Sequence, residues 1–157
     1  MELFRKVDKK ATCKVTAKFL KNDFPRLVRL SQQPVSEYDG LRSPTISDMP
    51  KGDSIGNSTE TKLLKHVEEV KQQRNLALVA KIEVSQIMLA INATNRESAV
   101  LLKSLYVQHN SDLKTQLELG IEKTSYFDHY KPLALMEFAE AYSGGALLVF
   151  EDTNVPE

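Results

Sequence analysis

An all-α fold is what the 157-residue sequence predicts, and three observations carry it. Apolar residues recur at three- and four-residue intervals through most of the chain instead of alternating in and out. Helix-starting side chains (Asp8, Asn95, Ser111) stand directly before such stretches. The one long interval with no period, 32–57, alternates Pro34, Pro44 and Pro50 with Gly40, Gly52 and Gly56, and reads as a loop. The chain divides accordingly into a basic helical segment (1–31), that loop (32–57), a central helix or helix pair (58–93), a helix-turn-helix unit (94–143) and an apolar, then acidic, tail (144–157).

In the first segment Asp8 can cap a helix with Ala11, Val15 and Phe19 on its apolar stripe, Cys13, Ala17 and Leu20 nearby, and lysines over much of the remainder. Pro25 interrupts that helix and restarts a turn through Leu27, Val28 and Leu30. Asn57-Ser58-Thr59-Glu60 has the form of a capping box. Beyond it Leu63, Leu64, Val67 and Val70 form a stripe that Leu78, Val79, Ile82, Ile87, Leu89 and Ile91 continue. A single helix over 58–92 would be about 50 Å long, too long for a domain of this size to bury unaided. It would call for a partner, a second copy being the natural one. Two helices with a bend near Asn75 are the slightly preferred alternative. Asn95 can cap a helix over 96–107, and Ala146–Phe150 is too apolar to be left in water.

Composition narrows the function. Formal charge is zero overall, but residues 1–43 carry ten Lys and Arg against five Asp and Glu, and residues 96–142 carry five against seven. The lone Cys13 rules out an internal disulfide and suits a reducing compartment. No unbroken apolar run approaches the roughly 20 residues that span a bilayer, and the start lacks a secretory signal core. His66, His109 and His129 have no metal-ligand spacing, and no nucleophile or metalloprotease motif appears. Neither an enzyme nor a cofactor or metal is expected.

The stretch 111–142 is the informative one. A helix beginning at Ser111 ends at Gly120, a tight turn follows, and a second helix begins near Lys123. That is the outline of a helix-turn-helix, whose second helix lies in the DNA major groove. With Phe127, Tyr130, Ala134, Leu135 and Phe138 inward, Lys123, Thr124, Ser125, Asp128, His129 and Lys131 fall on the outer face as DNA-contacting candidates. The hydroxyls suit base edges or phosphates, His129 and Lys131 suit purine acceptors or backbone oxygens, and Asp128 suits cytosine. A solvated helix face would show the same residues. Pro132 removes the amide that would bond the carbonyl of Asp128, so the helix should kink or restart there. Lys10, Lys14, Lys18, Lys21, Arg96 and Lys114 are candidate phosphate contacts; the N-terminal lysines could equally form an ordinary solvated face.

Several stretches together resemble the ArpU family of phage and prophage transcriptional regulators. They are Asn22–Leu27, Leu41-Arg42-Ser43-Pro44-Thr45-Ile46-Ser47-Asp48-Met49-Pro50-Lys51, Gly56-Asn57-Ser58, Ala134-Leu135-Met136-Glu137-Phe138-Ala139-Glu140-Ala141-Tyr142 and Leu147–Phe150. The resemblance implies a DNA-binding protein of the bacterial host cytoplasm that governs late phage genes for packaging and lysis. It further implies a C-terminal helix-turn-helix similar to region four of sigma factors, with RNA polymerase as a possible co-partner. An adaptor acting on the transcription machinery without reading DNA is the alternative. In the family pattern a small alanine usually stands where this chain has Gln116, and a branched aliphatic where it has Thr115. Leu113, Leu117 and Leu119 are therefore expected to supply the apolar face of that helix.

Overall fold

The computed structural model describes residues 4–32 and 57–151. The Pro/Gly-rich interval and the proline-containing stretch of the family resemblance fall almost wholly outside them. Among the described residues the protein is all-helical. The helices are α1 (Lys9–Lys18), α2 (Phe24–Ser31), α3 (Asn57–Ala93), α4 (Arg96–Leu102), α5 (Asp112–Leu119), α6 (Lys123–Ser125) and α7 (Lys131–Ala141). α1 packs along α7, α2 along α3, and α4 between α3 and α7.

Local chemistry places the helix starts. Asp8 accepts from the Ala11 amide at 3.0 Å, Asn95 from Ser98 at 2.8 Å and Ser111 from Lys114 at 3.2 Å. Each satisfies an amide that has no partner inside its helix. Pro25 and Pro132 are accommodated alike. A π turn precedes each: Phe19–Asp23, where the Phe24 amide bonds the Phe19 carbonyl, and Tyr126–Tyr130, where the Lys131 amide bonds the Tyr126 carbonyl. Widening the helix just ahead of the ring lets the chain pass proline without stopping. The expected restart at Pro132 is therefore corrected: α6, the π turn and α7 run on as one helix from Lys123 to Ala141.

The core gathers Leu20, Phe24, Ile87, Ile91, Leu101, Leu102, Tyr126, Leu135 and Phe138. Phe138 stacks on Tyr142 with centroids 5.6 Å apart, and the Tyr142 hydroxyl donates to Glu83 at 2.8 Å. Inward assignments in α1 and in the second helix of the turn unit are overturned. Val15 and Phe127 are exposed, while Thr12, Thr16 and Tyr126 are buried. For α1 the cause is the returning tail: the Val149 amide donates to the Thr12 hydroxyl at 2.9 Å, a partnership no valine could supply. The tail also makes an antiparallel bridge between Val7 and Phe150, with a Lys6–Glu151 pair at 2.8 Å. Leu147 rests on the core, so the apolar 146–150 stretch docks against its own chain.

α3 runs through Asn75 without a break, as one 37-residue helix. At 1.5 Å per residue that is about 55 Å, nearly twice the width of a small domain. By length and composition alone it could cross a bilayer, one 18-residue window having a mean hydropathy of 1.5. Counting unbroken apolar runs misses this, because Lys81 and Glu83 interrupt the stretch. Ala77, Ala80, Ile87, Ala90 and Ile91 of the same helix are nonetheless buried.

Candidate nucleic-acid interface

α5 closes in a Schellman motif: the Gly120 amide bonds the Leu117 carbonyl at 3.3 Å and the Ile121 amide bonds that of Gln116 at 3.1 Å. Gly120 sits at φ 64°, the left-handed conformation that glycine adopts without steric cost. Three residues later the second helix begins at Lys123, with Glu122 extended before it. The local outline is that of two helices joined by a short glycine turn.

The buried face of α5 differs from expectation. Leu113 and Leu117 are 66% and 74% exposed, whereas Thr115 and Gln116 are buried. The leucine face expected from the sequence is thereby corrected at Leu113 and Leu117, and only Leu119 of the three leans on the core. The Thr115 hydroxyl bonds the Ser111 carbonyl at 3.0 Å and meets Ser104 at 2.8 Å. Hydrogen bonding thus compensates the buried hydroxyls.

At the other end of α5, Asp112 organises a junction. Its Oδ1 accepts from the Tyr126 hydroxyl at 2.8 Å and from Lys131 Nζ at 2.9 Å. Burial works to raise the Asp112 pKa, but those two hydrogen bonds and the Lys131 charge outweigh it and leave the carboxyl below its ordinary value. Burial, joined by Asp112, pushes Tyr126 up as well, and takes Tyr106 to about 12. Both phenols stay protonated, and Tyr126 remains a donor.

The candidate residues do not share one surface. Lys123, Thr124 and Ser125 are exposed on the first turn of the second helix. Lys131 faces an open cleft of about 730 Å³ that α1 and the start of α5 also border, bringing it together with Lys18, Lys21, His109, Ser111 and Asp112. Asp128 and His129 border a different groove, with Lys9, Cys13, Glu137 and Glu140. Lys10 and Lys14 are exposed on α1, and Lys114 is exposed and donates to Asn110 at 3.1 Å. Arg96 is exposed at the start of α4. Cys13 donates to the Pro132 carbonyl at 3.5 Å, and burial raises its pKa, both of which quiet the thiol. No group of three or more His, Cys, Asp or Glu side chains among the described residues could hold a metal ion.

His109 and Asp112 were not singled out as interface residues by sequence. For Asp112 a signal existed, since an acidic residue in the first turn after a serine cap is favoured there. Its pairing with Lys131 across 19 positions had none.

Comparison with known proteins adds one relative. The chain is 29% identical over 152 residues, 96% of its own length, to the whole of an Enterococcus hirae protein named "Putative autolysin regulatory protein ArpU". This end-to-end likeness supports the ArpU resemblance seen in the sequence, and that relative's name is of a regulatory protein. No family profile and no solved structure matches the chain.

Proposed function

We propose that the chain is an ArpU-family regulator that binds double-stranded DNA through the helix following Gly120. It works in the cytoplasm of a bacterial cell on phage late genes for packaging and lysis. One observation carries the reading: Lys18 of α1 and Lys21 of the π turn after it share a cleft with Lys131 of the second helix and with the capped start of α5. Local acid excess in 96–142 argued against phosphate affinity. The lysines of a segment a hundred residues away make up the deficit where the helices converge.

In this arrangement Lys123, Thr124 and Ser125 enter the major groove, the first turn being where a recognition helix meets base edges. Lys18, Lys21 and Lys131 hold backbone phosphates beside it. Asp112 fixes Lys131 toward α1 through one of its three ammonium hydrogens, leaving two for a phosphate. Asp128 and His129, bordering an acidic groove, sit at the margin of the duplex.

The test is binding to duplex from the region upstream of the late genes against a scrambled duplex of equal length. Wild type is expected to prefer the natural sequence, and Thr124→Ala with Ser125→Ala to lose that preference while still binding both. Absence of any complex at low salt would remove the reading. The alternative, an adaptor for RNA polymerase or another part of the transcription machinery, is favoured by the exposed Leu113 and Leu117. Retention of a stable protein partner, abolished by Leu113→Ser with Leu117→Ser and without nucleic acid, would select it.

A further inference from the structure

α3 is apolar on two opposite faces, and only one of them meets the protein. Ala77, Ala80, Ile87 and Ile91 lie against the core. At 3.6 residues per turn, Leu64, Val67, Leu78, Ile82 and Leu89 fall within about 60° of arc on the far side. These five are 44–63% exposed. A helix apolar on both sides is normally covered on both. We infer that a second copy of this chain covers the outer face, making the protein a homodimer seamed along α3.

The N-terminal half of the helix gives the first reason. From Glu60 to Leu76 no residue is buried, and only Val70 and Arg74 are even half-covered. Most helical stability in proteins comes from tertiary packing of one face, which this stretch lacks within one chain. It is stabilised once a neighbour lies along it.

The spacing gives the second. Leu64 and Leu78 are two heptads apart, Ile82 and Leu89 one, and Leu78 to Ile82 is the four-residue step between seam positions. Glu68, Lys71, Asn75 and Ser85 occupy the intervening seam positions, where polar residues fix register at some cost in affinity.

Charge and area point to a copy of itself. The exposed arm from Glu60 to Lys71 carries three acids (Glu60, Glu68, Glu69) and three bases (Lys62, Lys65, Lys71). A surface so balanced sets up no net repulsion against a second copy and gives no preference to a strongly charged partner. A helix of about 55 Å, about 10 Å wide, offers a strip of the order of 550 Å² in projection, or about 1,100 Å² over two copies, just above the roughly 1,000 Å² that a specific interface needs.

Sedimentation equilibrium of the full chain without DNA, at tens of micromolar, reads this separately from the proposed DNA binding. Wild type is expected at twice its 17.7 kDa mass. Leu78→Glu with Ile82→Glu is expected to raise the dimer dissociation constant by at least about 100-fold, by placing four carboxylates in the seam. Leu117→Glu, on a different surface, should leave the mass at the dimer value. A monomeric wild type overturns the inference, whatever the variants do. So does a dimer indifferent to the double substitution in a variant whose helical signal is unchanged. Flotation of monomeric wild type with phosphatidylglycerol vesicles would assign the stripe to a membrane surface and overturn it equally.

Discussion

α3 turns an aliphatic stripe outward along much of its length, whereas α5 turns out two leucines and hides a threonine and a glutamine. Residue type alone would have placed both sets inside. In α5 the neighbours decide. Ser104 and the α4–α5 junction leave room for a short hydroxyl-bearing side chain, so Thr115 enters with a ready partner and Leu117 is displaced to water. In α3 geometry decides. The helix is long enough that its own domain covers one face of one half. The first pattern marks a finished interior, the second an unfinished one.

The contrast is sharpest within α3 itself. Ile87→Ala, on the buried side, should cost about 2–5 kcal/mol in urea unfolding. Leu89→Ala, two residues on and 60% exposed, should change the stability of the monomeric Leu78→Glu, Ile82→Glu variant by no more than about 0.5 kcal/mol. Equal losses at both positions would mean that the outer face is already covered within one chain.

In the α5–α7 unit, Asp112→Asn should lower stability by about 1–3 kcal/mol, since two donors lose a charged acceptor. The same change should strengthen non-specific duplex binding by freeing Lys131. The sign of the pH effect follows from the depressed carboxyl: its contribution is present above the unfolded-state pKa and fades as pH falls through the lower folded-state value. Acid titration of wild type should therefore show a stability loss below the ordinary aspartate range that the Asn variant lacks.

Gly120→Ala should cost about 1 kcal/mol through its positive φ alone, because a Cβ there would meet no atom within 4 Å. Leu117→Ala is the smallest expected effect, within about 0.5 kcal/mol. A large loss there would show that α5 packs in the register first read from its leucines.

What the sequence made legible is local. The caps at Asp8, Asn95 and Ser111, the stop at Gly120 and the all-helical class depend on a few adjacent residues. Faces were less legible where a distant segment supplied the partner. Thr12 is buried because Val149 needs its hydroxyl, and Val15 is displaced as a result. The two π turns shift the helical phase ahead of Pro25 and Pro132, which is why Tyr126 and not Phe127 points inward. Of the candidate residues, the sequence names the side chains one by one. That Lys131 shares a cleft with Lys18 and Lys21 while Asp128 and His129 border a separate groove is not legible there, since it arises from the packing of α1 on α7.

The cleft between α1 and α5 is tested most directly by the salt dependence of duplex binding. Log affinity against log salt should lose about one unit of slope for each phosphate contact removed. Lys18→Ala with Lys21→Ala should therefore flatten the slope by about two units, while Lys62→Ala with Lys65→Ala on the α3 arm leaves it unchanged. Identical slopes for wild type and the Lys18, Lys21 variant would contradict a role for the cleft in holding DNA.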